Sequence, residues 1–287
     1  MTVSRLEAIN RASRAAVAHA RNIREPIDNA VPYYGYVDVD VYECPPFIMF
    51  TNNDTPVIDY ILREGTFEPH SVKLWCRLCK AATGILDIGA NVGIYSLCAA
   101  LLRPDLKIHA FEPNPYAYAR LRLHKELNNA LNIIEHRFAV GEKNKIVPFS
   151  WVVKPGGNIA SGAGIGRRER TDVEEISAHM IKLDGTRIAE TLGANPLIKI
   201  DVEGGEALTF NGMSEILALR PDIILETFSE EACVSINAIL EPYGYTAYLI
   251  REKEGQLIAR SGLQPADTNE GHDFNQFLTV RPLPDLA

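Results

Sequence analysis

The amino-acid sequence predicts an α/β protein whose mostly parallel sheet carries helices on both faces. Between residues 84 and 245, short apolar runs alternate with segments of helical periodicity, and this alternation is typical of a doubly wound sheet. The first run, residues 84–88, leads through a glycine-containing turn directly into a helical pattern. With 287 residues, of which 46% are hydrophobic, the chain is long enough to bury the core of one large domain.

The elements of this sheet follow from the apolar runs and from the helix start signals. The first helix carries apolar residues at i, i+3, i+4 and i+7 from Ile94. Asn114 and Pro115 predict the N-cap and first residue of the next helix, a short helix is predicted from Glu206, and Ser229 caps a later one. The predicted strands are 85–88, 107–111, 133–140, 197–202 and 223–226, with 248–250 and 274–280 as an antiparallel pair that closes the sheet.

Residues 1–55 are predicted to form an extension of the main domain, which we assign to residues 56–287. Residues 1–30 carry a weak apolar helical stripe, and residues 33–50 alternate between apolar and polar side chains as paired strands do. We therefore expect a helix followed by a β-hairpin. The helix is expected to pack on the main domain or on a partner subunit, so the sequence leaves a homo-oligomer open.

The five cysteines are an odd, scattered set, which is typical of a protein from a reducing cytosol. Cys76 and Cys79 form a C-x-x-C pair, but no second pair and no nearby histidine stand at the spacing of metal ligands. Both lie in residues 56–82, which are predicted to be helical with Pro69 at a first helical position. We expect the two thiols to behave as small buried hydrophobes.

Composition excludes two classes of partner and favours a cytoplasmic protein. The net charge of −8 does not provide the basic surface that nucleic-acid binding requires. No apolar run approaches the roughly 20 residues that cross a bilayer, and the N-terminus lacks the apolar core of a signal peptide. We therefore expect neither a nucleic-acid partner nor a membrane partner.

Residues 141–195 are too long for a simple connection between two strands and are predicted to be an insertion. They contain a predicted strand near residues 146–152 and a glycine-rich stretch at residues 156–166. The glycine-rich stretch is not a phosphate-binding P-loop, because no Gly-Lys-Ser/Thr follows it. Two interpretations remain open, a flap that covers the substrate and a plain solvated loop.

The turn Gly89-Ala-Asn-Val-Gly93 lies between the first strand and its helix and indicates a nucleoside-type ligand. Such a turn is expected to present free backbone N–H groups and a helix N-terminus to the ligand. Asn91 stands where a dinucleotide fingerprint needs its second glycine, which favours S-adenosylmethionine over NAD. Glu112, at the end of the second strand, is placed to accept hydrogen bonds from the ribose hydroxyls of either cofactor.

A second acidic segment follows the predicted strand at residues 197–202. Asp201 and Glu203 are two residues apart, so both side chains are expected on one face at the carboxyl end of the strand. Lys199 shares this alternation. The charges on S-adenosylmethionine would offset the carboxylates, and a divalent cation such as Mg²⁺ would do so too. The sequence leaves the metal open.

Three motifs together resemble the FkbM-type S-adenosylmethionine-dependent methyltransferases. They are Leu86-Asp-Ile-Gly-Ala-Asn-Val-Gly-Ile-Tyr-Ser96, Phe111-Glu-Pro-Asn-Pro115 and Ile198-Lys-Ile-Asp-Val-Glu-Gly-Gly-Glu206. The resemblance runs from about residue 42 to residue 245. It implies a class I methyltransferase fold, with seven strands of which the last is antiparallel, and with the cofactor over the carboxyl edge of the sheet.

The resemblance also implies roles for individual residues. Glu112 would hold the ribose, and Asp201 would meet the ammonium group of the cofactor or a metal. The remaining cofactor-binding residues would be Asp87, Gly89, Ala90, Asn91, Gly93, Pro113 and Asn114. The implied acceptor is a small-molecule hydroxyl, on a sugar or a natural product.

The predicted reaction is therefore O-methyl transfer, with Asp201 or Glu203 as the base that removes the acceptor proton. A hydroxyl acceptor must lose this proton during or after attack on the methyl group. Two alternatives remain open at this point. One is an NAD-linked oxidoreductase, and the other is a catalytically silent methyltransferase-like binding domain.

Overall fold

The computed structural model describes residues 7–8, 10–12, 33–52, 54–152, 164–165, 173–265 and 273–284. The strands within these ranges are β1 Tyr34–Val39, β2 Phe47–Asn52, β3 Gly84–Ile88, β4 Ile108–Phe111, β5 Ile133–His136, β6 Ala139–Val140, β7 Lys145–Val152, β8 Gly164–Ile165, β9 Val173–Ile181, β10 Pro196–Ile200, β11 Asp222–Glu226, β12 Thr246–Arg251, β13 Gln256–Arg260 and β14 Asn275–Thr279. The helices are α1 Pro56–Glu64, α2 Pro69–Ala81, α3 Ile94–Leu102, α4 Pro115–Leu127, α5 Ile188–Thr191, α6 Glu206–Asn211, α7 Ser214–Leu217 and α8 Glu230–Leu240.

The central sheet has the strand order β13-β12-β14-β11-β10-β3-β4-β5. Strands β11, β10, β3, β4 and β5 pair in parallel, and β14 runs antiparallel to both of its neighbours. This arrangement confirms the predicted α/β class and the antiparallel closing pair. The described part of the sheet has eight strands where seven were expected, because β13 adds a hairpin partner to β12 at the edge.

Each face of the central sheet is covered by its own hydrophobic core. One core contains Leu197 and Ile224 from the sheet with Trp75 of α2 and Leu97 of α3. The other contains residues of the opposite strand alternation, such as Ile198, together with side chains of α6, α7 and α8. The apolar strands are therefore buried on both faces, as parallel sheets usually are.

The hairpin formed by β1 and β2 packs on helix α4. The Ile48 N–H donates to Asn128 Oδ1 at 2.7 Å, and Asn128 Nδ2 donates back to the Ile48 carbonyl oxygen at 2.7 Å. A buried ion pair between Arg120 and Asp54 adds a 2.7 Å contact. Asn10, in the short described part of the N-terminal segment, donates to and accepts from the main chain of Tyr34. These bonds attach the hairpin to the main sheet layer.

The predicted strand at residues 133–140 is wrong as a single element. The chain leaves the central sheet after His136, and Ala139–Val140 pairs with β9 in a second sheet of order β6-β9-β7-β8. The predicted strand near residues 146–152 is confirmed as β7. Of the glycine-rich stretch at residues 156–166, only Gly164 and Ile165 are among the described residues, so the flap interpretation lies outside them.

Several local predictions are confirmed. Helix α2 begins at Pro69, the Asn114 side chain caps α4, and Ser229 caps α8. All five cysteines are buried free thiols. Among the helices in the described ranges, none combines the length and the apolarity that crossing a bilayer requires.

Candidate active site

The segments that follow β3, β4, β5 and β10 meet around a cavity at the carboxyl edge of the central sheet. This edge is where open α/β sheets bind ligands. The polar lining of the cavity comes from Asn91, Glu112, Asp201 and Glu203. The sequence-predicted acidic residues after two different strands are thus brought together.

The turn after β3 requires glycine at Gly89. Its φ is +86°, and a Cβ atom added there would lie 1.7 Å from the carbonyl oxygen of Asp201. Only a residue without a side chain lets the turn approach the loop after β10 this closely. Asp201 in turn donates its N–H to the Ile88 carbonyl oxygen at 2.9 Å. The two loops that carry the candidate site are therefore locked together through the main chain.

The expectation of free backbone N–H groups in this turn is wrong for most of its residues. Gly89 and Ala90 both donate to the carbonyl oxygen of Phe111 at 2.9 Å. The Asn91 N–H donates to Glu112 Oε2 at 2.8 Å, and the Gly93 N–H donates to the Ala90 carbonyl oxygen. These hydrogen bonds hold the turn against the neighbouring strand, so the same N–H groups are not available to bind a phosphate group.

Glu112 is a buried carboxyl group at the cavity wall. Its two oxygens accept hydrogen bonds from the main-chain N–H groups of Asn91 and Asn114, at 2.8 and 2.7 Å. Burial raises the pKa of Glu112 to about 7, and the two backbone hydrogen bonds oppose that rise. Each carboxylate oxygen keeps one lone pair for a further donor. The group is therefore able to accept two more hydrogen bonds from the cavity side.

Four of the sequence-predicted cofactor residues lie beside the cavity but do not line it: Asp87, Ala90, Gly93 and Asn114. Asp87 is buried, accepts a hydrogen bond from the Ser96 hydroxyl at 2.5 Å, and has a pKa raised to about 6 by burial. The Asn114 side chain is used to cap α4. Pro113, by contrast, lines the cavity.

Asp201 and Glu203 both line the cavity, but for a different reason than the sequence suggested. Strand β10 ends at Ile200, and Glu203 has a left-handed backbone with φ +54°. Strand alternation therefore does not orient Glu203. Asp201 continues the alternation of Lys199, whose Nζ lies 3.7 Å from Asp201 Oδ2. The turn at residues 202–205 explains why β10 ends early, because Glu203 and Gly204 both have a positive φ that a strand does not allow.

Two aromatic residues of the cavity wall, Phe138 and Phe149, were not predicted from the sequence. Phe138 lies in the connection from β5 to β6, which the predicted single strand concealed. Phe149 belongs to β7 of the insertion and reaches the cavity through the second sheet. Phe138 follows the carboxyl end of a parallel strand, and this position could have identified it as a site residue. No local sequence pattern places Phe149 at the site. In the described ranges, no group of three or more His, Cys, Asp or Glu side chains is arranged to hold a metal ion.

Residues 87–247 match the Methyltransferase FkbM domain family, which covers more than half of the chain. The chain belongs to this family. This membership confirms the resemblance drawn from the three motifs and identifies the chain as a methyltransferase. It favours that activity over the NAD-linked alternative.

Similar proteins come from fungi and bacteria. Methyltransferase 1 of Beauveria bassiana (strain ARSEF 2860) is 25% identical over 183 residues, which span 58% of this chain and 74% of the relative. The 31-O-demethyl-FK506 methyltransferase FkbM of Streptomyces tacrolimicus is 25% identical over 190 residues, which span 56% of this chain and 72% of the relative. A solved FkbM methyltransferase from Methylobacillus flagellatus KT is 18% identical with a TM-score of 0.42, over 69% of this chain and 43% of that chain.

Proposed function

We propose that this methyltransferase uses S-adenosylmethionine to methylate a hydroxyl oxygen of a small molecule of the sugar or natural-product type. The supporting observation is the cavity at the carboxyl edge of the sheet, which Glu112, Asp201 and Glu203 all line. One family relative is named for its action on a demethylated hydroxyl of FK506, which agrees with an oxygen acceptor.

The residues present fit S-adenosylmethionine. Glu112 has a free lone pair on each oxygen for the two ribose hydroxyls, and Asn91 brings a side chain where a pyrophosphate would need open space. Because the N–H groups of Gly89 and Ala90 already bond to the main chain, the turn suits a ligand with no phosphate at this point. When bound, the cofactor supplies a methyl group that its sulfonium already activates.

The chain's own part in the reaction is to align the acceptor and to take its proton. We assign the proton to Glu203, because Asp201 lies 3.7 Å from the Lys199 ammonium and is partly neutralised by it. The Glu203 carboxylate would accept the proton that the acceptor hydroxyl loses when it is methylated, and the cofactor would leave as the neutral thioether S-adenosylhomocysteine. Alignment and the exclusion of water supply the rest of the acceleration.

The test is methyl transfer to a panel of hydroxyl compounds, read by mass spectrometry and by the position of the new methyl signal in NMR. Glu203→Gln should lower turnover at least about a hundredfold, the range of general-base catalysis, while the dissociation constant of S-adenosylmethionine stays within about twofold. Glu174→Gln, on an exposed part of β9, is the matched control. A methyl group found on nitrogen or carbon would contradict the O-methyl assignment, and unchanged turnover of E203Q would remove the base assignment.

A further inference from the structure

A row of polar residues crosses four neighbouring strands near the edge of the sheet at which the parallel strands end; β14 is antiparallel, so it contributes Asn275 from its amino end. Lys199 on β10 is in register with Asp87 on β3, and Glu226 on β11 is in register with Asn275 on β14. Residues in register lie on the same face of a sheet. This is the face that α2 and α3 cover, because Ile224, two residues before Glu226, belongs to the core on that side. Polar and charged side chains on an otherwise apolar, buried face are unfavourable unless they have partners.

Lys199 lies at the centre of this row and is only 1% exposed. Its Nζ is 3.7 Å from Asp201 Oδ2 and 5.2 Å from the centroid of the Tyr95 ring. Within the described part of the chain, this ammonium has no hydrogen-bond partner. Burial lowers the pKa of Lys199, but the carboxylates of Asp201, Glu68 and Glu226 outweigh this effect and raise it. The group is therefore a buried cation with three donors to satisfy.

The Glu68 carboxyl group lies beside the same row, where the charges of Lys199 and Asp201 act on it. Its position in the sequence would instead predict a helix cap. It is the residue that precedes α2, with a left-handed φ of +41°, and such a residue normally caps its helix. The N–H groups of His70 and Ser71 bond instead to the distant carboxylate of Glu252. The Glu68 side chain accepts the hydroxyl of Tyr95. Strained backbone at a residue released from capping is typical of a functional position.

An aromatic pair closes the end of the row. Phe228 follows Glu226 by two residues, and Phe274 precedes Asn275. Their ring centroids are 5.2 Å apart, and Phe228 is 40% exposed. Beside the carboxylates there is therefore a partly exposed apolar surface.

We propose that Lys199, Glu68 and Glu226 form the acceptor subsite, across Asp201 from the cofactor cavity, and that it takes an uncharged ring bearing several hydroxyls. This inference rests on the proposed function. A hydroxyl accepts from the ammonium and donates to a carboxylate, so it satisfies both kinds of group at once. Burial raises the pKa of the Glu68 and Glu226 carboxyl groups. The Lys199 ammonium already faces Asp201 at 3.7 Å. An anionic acceptor would therefore add a buried charge with no further cation to offset it. Phe228 would contact the apolar face of the ring.

The subsite combines residues inside and outside the matched family segment 87–247. Glu68 comes before it, and Phe274, whose ring packs against Phe228, comes after it. The acceptor preference would therefore be set in part by flanking segments, while the cofactor cavity lies within the matched segment.

The test uses two probes that differ in one group: methyl β-D-glucopyranoside and methyl β-D-glucuronide, in which a carboxylate replaces the hydroxymethyl group. Saturation-transfer NMR is recorded with the protein saturated with S-adenosylhomocysteine. The glucoside should give a signal at least about fivefold stronger than the glucuronide, because Asp201 already offsets the Lys199 charge and the carboxylate of the glucuronide would be left without a cation. Glu226→Gln should weaken the glucoside signal and narrow the difference between the probes, whereas Glu64→Gln, exposed at the end of α1, should change neither.

Equal signals from the two probes, or no signal from either, would overturn the subsite. Phe228→Ala is a second variant at an exposed position, and it should weaken the glucoside signal even where E226Q does not fold. A parallel titration with S-adenosylmethionine separates this inference from the proposed function. If the cofactor binds and the probes are not discriminated, the subsite alone fails, whereas absence of cofactor binding contradicts the proposed function itself.

Discussion

Glu112 combines burial with two backbone hydrogen bonds, and these act in opposite directions on its pKa. Burial prevails and raises the pKa from 4.5 to about 7. Between these values the folded protein holds a proton that the unfolded chain releases, so this group's contribution to stability falls as pH rises from 4.5 to 7. The loss above pH 7 is on the order of 3 kcal/mol. A bound ribose would recover part of it by donating to the ionised carboxylate.

The affinity for S-adenosylmethionine should therefore depend on the ionisation of Glu112. We expect the dissociation constant of the wild-type protein to rise as pH falls below about 7, because the protonated carboxyl group accepts fewer hydrogen bonds. Glu112→Ala should weaken binding by roughly tenfold to a hundredfold at pH 8, as loss of hydrogen bonds to a charged group does.

Calorimetric titrations between pH 5.5 and pH 8.5 measure both effects. The variant should show a nearly flat pH profile, and Glu126→Ala, an exposed change on α4, should keep the wild-type profile. Equal affinity of E112A and the wild type would remove the ribose assignment.

At the scale of elements, the contact between the turn after β3 and the loop after β10 holds the candidate site together. Gly89→Ala would place its Cβ against the Asp201 carbonyl oxygen and would also adopt an unfavourable positive φ. Strain and overpacking together should cost about 3–5 kcal/mol of the free energy of unfolding.

Gly185→Ala is the matched control for this prediction. Its φ is +79°, but no atom lies within 4 Å of the added Cβ, so only the backbone term of about 1–2 kcal/mol remains. Urea denaturation of the two variants measures the difference. Similar losses of stability in G89A and G185A would show that the close approach of the two loops adds nothing to the effect of the substitution on the free energy of unfolding.

Helices and strands were predicted correctly where the spacing of apolar residues in the sequence matched the pattern of burial in the structure. The parallel strands are apolar on both faces, so their runs stand out, and α4 carries both its cap and its first proline. The prediction failed at residues 133–140, where β5 and β6 belong to different sheets. The chain leaves the central sheet at Arg137, but the β-type sequence pattern continues through that point. The prediction failed again at Glu203, where a left-handed turn replaced the alternation of a longer strand.

At the scale of the whole molecule, the candidate cavity was largely predictable from the sequence, and the proposed acceptor subsite was not. The cavity residues Asn91, Glu112 and Asp201 follow strands that lie side by side in a parallel sheet, so topology alone brings them together. Glu68 is brought to the site by the packing of α2 on the sheet. Asn275 is brought there by strand pairing over a long sequence distance, with β14 inserted between β11 and β12. No local pattern encodes that insertion, and the same holds for Phe149 in the second sheet.

We infer that this FkbM-family methyltransferase binds S-adenosylmethionine in the cavity lined by the turn after β3 and the loop after β10. The most direct measurement is a calorimetric titration of the purified protein with S-adenosylmethionine, with NAD titrated in parallel under the same conditions. We expect one-to-one, micromolar binding of S-adenosylmethionine and no heat from NAD. Binding of NAD, or the absence of S-adenosylmethionine binding with and without magnesium, would contradict this inference.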